Sequence, residues 1–180
     1  MEHSKIFGQF IAKTDRIVVE ASGPDIPVRI VEQLPALLEQ KNILTAENKA
    51  LPATGYGRNN IFLCPDDRFS VIAMVWPPHF TSPIHNHKPW CAFGVMVGTI
   101  RNTCFSHLGT SATKTEVVPT ECKDLVVKDV ISLPADGADI HCMQNPTDSI
   151  AITLHVYGGN ATKMGVNVRD LYKSPITGHA

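Results

Sequence analysis

"HNHKPWCAFGVMVG", residues 85–98, sets two histidines one residue apart, a cysteine four positions after the second, and then an apolar run closed by glycine. On an extended segment alternate side chains share a face, so His85 and His87 point the same way, with Cα atoms about 6.5 Å apart. Imidazoles so placed can converge on one ion through metal–nitrogen bonds of roughly 2.0–2.2 Å. Asn86 takes the opposite face. A third ligand must come from another segment, and "DGADIHCMQN" (136–145) offers His141. The pair alone is a weak sign of a metal; two histidine-bearing β segments in one chain are a stronger one. His3, His79, His107 and His179 read instead as surface or loop residues.

Around this segment the chain has two textures. From Asn59 onward, short β-type runs are punctuated by Pro, Gly, Asn and Asp: "NIFLC", "FSVIAMVW", "SPIHNH", "CAFGVMVGTIRNTCF", "TKTEVV", "DLVVKDVISL", "DIHCMQN" and "SIAITLHVYG". "CPDDR" and "NPTDS" supply turns between them. Eight or so closely spaced strands without intervening helices predict an all-β sandwich or jelly-roll barrel. Before them, "IPVRIVEQLPALLEQ" (26–40) places Val28, Val31, Leu34 and Leu38 near helical spacing, with a restart at Pro35. Residues 44–58 read as a loop leading into the main body. We therefore expect an N-terminal helical segment, residues 1–45, packed on a barrel domain, residues 46–180, within a single globular unit.

Composition narrows the classes of function. A chain of 180 residues with 43% hydrophobic and 18% charged residues is long enough for one well-filled core. Lysine plus arginine (16) nearly balances aspartate plus glutamate (17), which gives no basic surface for nucleic acid. "MEHSKIFGQFIAK" lacks the basic and long apolar regions of a leader, and no run approaches a membrane span. The five scattered cysteines form no C-x-x-C pair. They are expected as reduced thiols of a cytoplasmic protein, with Cys64, Cys104, Cys122 and Cys142 buried as small apolar residues. Cys91 stands apart because of its position after the histidines.

"HNHKPWCAFGVMVG" and "LPADGADIHCMQN" resemble the two signature segments of the cupin superfamily. In the first, His85-x-His87 is followed by three residues, by Cys91 where that family usually has a glutamate, and by six residues before Gly98. In the second, Pro134, Gly137, His141 and Asn145 match the family's proline, glycine, histidine and asparagine, with spacings differing by one. Lys128 stands where a glycine is common. The resemblance spans roughly residues 56–160 and implies a double-stranded β-helix with a metal inside, held by His85, His87 and His141.

Loss of the glutamate is similar to the thiol dioxygenases among cupins, and two further segments are as well. "ITLHVYG" puts Thr153, His155 and Tyr157 on one strand face, resembling that family's Ser/Thr-His-Tyr relay. "GYGRN" puts Tyr56 and Arg58 in a Tyr-x-Arg-Asn arrangement like that of cysteine dioxygenase, whose arginine grips the substrate carboxylate. "RFSVIAMVWPPHFTSPIHNHKPW" and "LHVYG" look closer to bacterial enzymes that oxidise 3-mercaptopropionate or related mercapto acids. The resemblance implies Fe(II) as cofactor, one per chain, and conversion of a small carboxylated thiol with dioxygen to its sulfinic acid. Tyr157, with His155 and Thr153 behind it, is then the catalytic hydroxyl. Arg58 is the carboxylate fork, with Arg169 in reserve, and Tyr56 and Trp90 line the substrate pocket. Animal-type cysteine dioxygenases carry a cysteine–tyrosine thioether. Cys91 sits one residue closer to the second histidine than theirs does, leaving a Cys91–Tyr157 crosslink open.

Imidazole ligands would take zinc, nickel or copper at least as tightly as ferrous iron, so purified protein could carry any of them. The remaining alternatives are a diketone- or flavonol-type dioxygenase, a metal-dependent isomerase, a zinc hydrolase, and a non-catalytic cupin that binds a small molecule. The partners expected are a small thiol and dioxygen, not nucleic acid or membrane, with the chain acting as a monomer or small homo-oligomer.

Overall fold

β9, Ala151–Gly158, reads "AITLHVYG", and all but its last residue are buried. A strand buried on both faces needs a layer on each side, and both are present. Thr153, His155 and Tyr157 face inward, while Ile152, Leu154 and Val156 join an apolar cluster with three N-terminal helices. A computed structural model of the chain describes residues 5–40, 42–108, 115–135, 137–163 and 168–175. His3 and His179 lie outside them.

The strands are β1 (Gly57–Leu63), β2 (Phe69–Trp76), β3 (Ile84–His87), β4 (Cys91–Val97), β5 (Ile100–His107), β6 (Val117–Leu125), β7 (Val130–Leu133), β8 (His141–Gln144), β9 and β10 (Val168–Tyr172). They form two five-stranded antiparallel sheets, ordered β1-β2-β9-β4-β7 and β10-β3-β8-β5-β6. The inner faces meet around Ile72, Met74, Trp76, Cys91, Phe93, Ile100, Leu125, Met143 and Tyr157. This is the expected all-β jelly-roll barrel with a short N-terminal helical segment.

The helices coat the outer face of the first sheet. α1 (Lys5–Glu20) buries Phe7, Phe10, Thr14 and Ile17, one stripe of an amphipathic helix. α2 (Asp25–Val31) and α3 (Leu34–Leu38) follow, with Pro35 in the first turn of α3, where its missing N–H costs no helical bond. Leu34, Leu37 and Leu38 are buried, whereas Val28 is exposed. Arg68, beside the β1–β2 turn, pairs with Asp15 of α1 and ties coat to barrel.

Three strand expectations change. The run "CAFGVMVGTIRNTCF" is two strands, because Gly98 adopts a left-handed φ of 76° and turns the chain. "TECKDL" extends β6, so "DLVVKDVISL" is cut by a turn at 126–129 before β7. In that turn Lys128 has φ 79°, which explains the glycine common there; this chain accepts the strain and pairs the Lys128 ammonium with Glu39. β10 was not expected.

The cysteine expectation is corrected in part. Cys64 and Cys142 are buried, Cys104 is half-buried and Cys122 is exposed. Cys122 lies on β6, an edge strand of its sheet among the described residues.

Candidate metal centre

β3 and β8 are neighbours in register, with His85 opposite His141. With His87 two residues along β3, strand alternation alone brings the three imidazoles to one face. Their ring centroids stand 4.8–5.1 Å apart. Their ligand nitrogens lie within 4.8 Å of one another. To share one ion through bonds of about 2.1 Å, the nitrogens would have to lie no more than about 4.2 Å apart.

Each ring is oriented from behind by an oxygen. His85 Nδ1 bonds the Pro83 carbonyl at 2.8 Å, His87 Nδ1 the Asp139 carboxylate at 2.6 Å, and His141 Nδ1 the Asn102 amide oxygen at 2.8 Å. Three acceptors behind the rings put the proton on Nδ1 in each and leave Nε2 as a lone pair. Nε2 of His141 is buried and has no hydrogen-bond partner, which a buried polar atom seldom tolerates. A metal ion would satisfy it, so the donor set fits one. Asp139 and Asn102 were not expected. Asp139 lies in the quoted "DGADIH" and could have been noticed; Asn102 comes from a separate strand and left no signal.

Electrostatics keep His85 and His141 neutral. Burial, reinforced by the neighbouring His87, holds His85 down to about 4. Burial likewise holds His141 and His155 well below the usual histidine range. A histidine whose folded pKa is depressed adds stability above its unfolded value near 6.5, and that stability is lost as pH falls toward the folded value. The metal-free protein should therefore lose thermal stability steeply as pH falls from about 6.5 to about 4. Melting curves in chelator check this, and His85→Gln should make the fall shallower. A wild-type profile that stays flat would contradict it.

Opposite the triad runs the β9 line. Thr153 Oγ1 lies 2.8 Å from His155 Nε2, and His155 Nδ1 lies 3.2 Å from the Tyr157 hydroxyl. Phe93 stacks on His155 at 4.9 Å, and the Tyr157 ring lies 5.8 Å from that of His87. Cys91 pairs directly with Tyr157 across β4 and β9, and its Sγ is 3.7 Å from His155 Nδ1. Burial pushes both the Cys91 thiol and the Tyr157 phenol well up, so each keeps its proton.

Arg58 lies on β1 opposite Met74 and is exposed, and Tyr56, one residue before β1, packs against the inner cluster. Its charge adds to the burial that lowers His85 and His155, and only partly opposes the burial that raises Tyr157. Among the described residues no carboxylate pairs with it. Tyr56 stacks on Trp76 at 4.9 Å and 5°.

Two expectations about the pocket wall change. Trp90 packs with the outer cluster beneath the helices, and a Cβ on Gly158 would meet its indole at 2.6 Å. Because Tyr157 faces inward, Gly158 and the ring over it face outward, away from the triad. The inward indole is Trp76, which the sequence reading passed over. Arg169 is occupied elsewhere, donating to the carbonyls of Ala135 at 3.0 Å and Lys88 at 3.3 Å. His79 is exposed and pairs with Asp148; His107 lies against Tyr172.

Asn145, matched to the second signature, is a latch. Its amide donates to the carbonyls of Trp76, Pro77 and Ser149 at 3.1, 3.0 and 2.7 Å, fixing the end of β2.

No family model matches the chain. Among solved structures, an uncharacterised conserved protein with a double-stranded β-helix domain from Klebsiella pneumoniae is similar over 74% of this chain and 100% of its own, at 14% identity and a TM-score of 0.50. A cupin 2 conserved barrel domain protein from Salinispora arenicola is similar over 68% of this chain and 92% of its own, at 17% identity and a TM-score of 0.48. At such identities the likeness concerns architecture. The chain has the cupin double-stranded β-helix fold, and inside it three histidines that could hold a metal ion. No helix among the described residues is long and apolar enough to cross a membrane.

Proposed function

We propose that this chain is a thiol dioxygenase that converts a small carboxylated thiol, of the cysteine or 3-mercaptopropionate class, to its sulfinic acid. The observation that carries the reading is a set of three histidines with no carboxylate in it, and an Arg58 whose charge acts on His85 and which has no carboxylate partner among the described residues. His85, His87 and His141 would hold ferrous iron, which would supply the positive charge that favours a thiolate and the redox chemistry for adding dioxygen to sulfur.

The remaining work falls to the side chains. Arg58 offers a planar fork for the substrate carboxylate and so sets which end of the thiol points inward. Tyr56, stacked on Trp76, walls that end. Tyr157 holds its proton beside the reacting sulfur, and the apolar lining of Ile72, Met74, Phe93 and Met143 excludes water from it. Asp139, Asn102 and the Pro83 carbonyl keep three nitrogen lone pairs convergent.

Dioxygen consumption by iron-reconstituted protein tests the reading, with cysteine, 3-mercaptopropionate, mercaptosuccinate, cysteamine and a no-thiol control. Uptake matched by sulfinate for one carboxylated thiol is expected. No uptake with any thiol, in protein shown to hold iron, would overturn it in favour of another metal-dependent or small-molecule-binding role.

The pairing of Cys91 with Tyr157 extends the proposal to a thioether between Cys91 Sγ and the tyrosine ring. Its formation removes two hydrogens, with dioxygen as oxidant. After aerobic turnover, intact mass should show that loss in wild type and not in Cys91→Ser. An unchanged wild-type mass removes the crosslink and leaves the rest of the reading standing.

A further inference from the structure

The inner line does not begin at Thr153. Trp76 Nε1 lies 2.9 Å from Thr153 Oγ1, and this contact is buried. An indole N–H can only donate, whereas a threonine hydroxyl and a neutral imidazole can each be used in either sense. One end of a buried hydrogen-bond chain is thereby fixed, and the rest follows by exclusion.

We infer that Trp76 is a positioning residue that fixes the direction of the Thr153–His155–Tyr157 hydrogen-bond chain, so that Tyr157 directs its hydroxyl proton away from His155.

Thr153 Oγ1 accepts from Trp76, so its own hydrogen is free to donate to His155 Nε2 at 2.8 Å. His155 then carries its proton on Nδ1 and donates to the Tyr157 oxygen at 3.2 Å. The Tyr157 hydrogen is left for Cys91 Sγ or for a ligand at the triad. The reverse order would have His155 Nε2–H donate to a Thr153 oxygen already receiving the indole. The threonine hydrogen would then have no acceptor among its described contacts, a buried donor left unmade. His155 does not escape by taking a second proton: Phe93 and Tyr157 stack on its faces, and burial disfavours the charged ring.

The direction has a chemical consequence. With a proton already on Nδ1, His155 cannot take the Tyr157 proton, so the line works as an oriented donor and not as a base. Trp76 is itself held by its stack on Tyr56 and by Asn145 at its carbonyl, so the direction is set by rigid parts of the fold. The inference needs this line but not the thiol chemistry proposed above, and the two can fail separately.

Long-range proton–nitrogen NMR correlations of histidine-labelled, metal-free protein distinguish the two tautomers of His155. The Nδ1–H form should exceed the Nε2–H form roughly tenfold or more in wild type. In Trp76→Phe, which keeps a ring against Tyr56 but has no N–H, the Nε2–H form should rise to a comparable population. Thr153→Ser, which keeps the hydroxyl, should behave as wild type. An Nε2–H majority in wild type overturns the inference, as does a wild-type ratio in Trp76→Phe. If Trp76→Phe does not fold, Trp76→benzothienylalanine, which exchanges only the N–H for sulfur, takes its place with the same two outcomes.

Discussion

Asp139→Asn should weaken metal binding at the triad by roughly ten- to a hundredfold while leaving the metal-free fold nearly as stable as wild type. The carboxylate is fully buried and lies 2.6 Å from His87 Nδ1. It steers the ring and, as an anion, makes the opposite nitrogen a better donor to a cation. Asparagine keeps the size and an oxygen acceptor but not the charge, so affinity falls more than stability does. Asp139→Ala removes the acceptor altogether and leaves a buried N–H unpaired, which costs about 1–3 kcal/mol of stability in addition. Chelator competition gives the affinities and melting in chelator gives the stability. Wild-type affinity in Asp139→Asn would show that the carboxylate does not tune the ligand.

Arg58→Ala should lower kcat/KM for carboxylated thiols roughly ten- to a hundredfold, the range expected for hydrogen bonds to a charged group. The rate with cysteamine, which has no carboxylate, should change little. Arg58→Lys should recover part of the loss, since an ammonium keeps the charge but not the planar fork. Parallel loss for cysteamine would show that Arg58 acts on the triad itself, whose His85 it already touches electrostatically, and not on the substrate.

What could be read from the sequence followed from alternation along a strand. His85 and His87 two apart, and Thr153, His155 and Tyr157 spaced by two, share faces whatever the rest of the fold does. That His85 would lie opposite His141 is a matter of register between separate strands, which no local pattern carries. The same limit hid Asn102. Trp90 was assigned to the pocket because it adjoins Cys91, yet adjacency along an extended chain is what puts two side chains on opposite faces. α1 falls within the helical segment expected over residues 1–45, but the helical spacing of its own stripe, Phe7, Phe10, Thr14 and Ile17, was not drawn on, only that of 26–40. Trp76 ends the apolar run "FSVIAMVW" and was given no role from it. Only its hydrogen bond to Thr153, which lies opposite Met74 on the neighbouring strand, gives its nitrogen a meaning.

The carboxylate behind His87 bears on charge balance within the barrel. Three neutral imidazoles would leave a divalent ion held there with both its charges, and the Asp139 carboxylate would cancel one of them. On the proposed reading the substrate thiolate cancels the other, and its carboxylate is matched by Arg58. The loaded chamber is then electroneutral only when both ends of the substrate are anionic. A buried site prefers that sum, because uncompensated charge away from water is costly. Selection for a mercapto acid over a thiol that lacks a carboxylate would thus rest on the total charge enclosed as well as on the fit of any one contact.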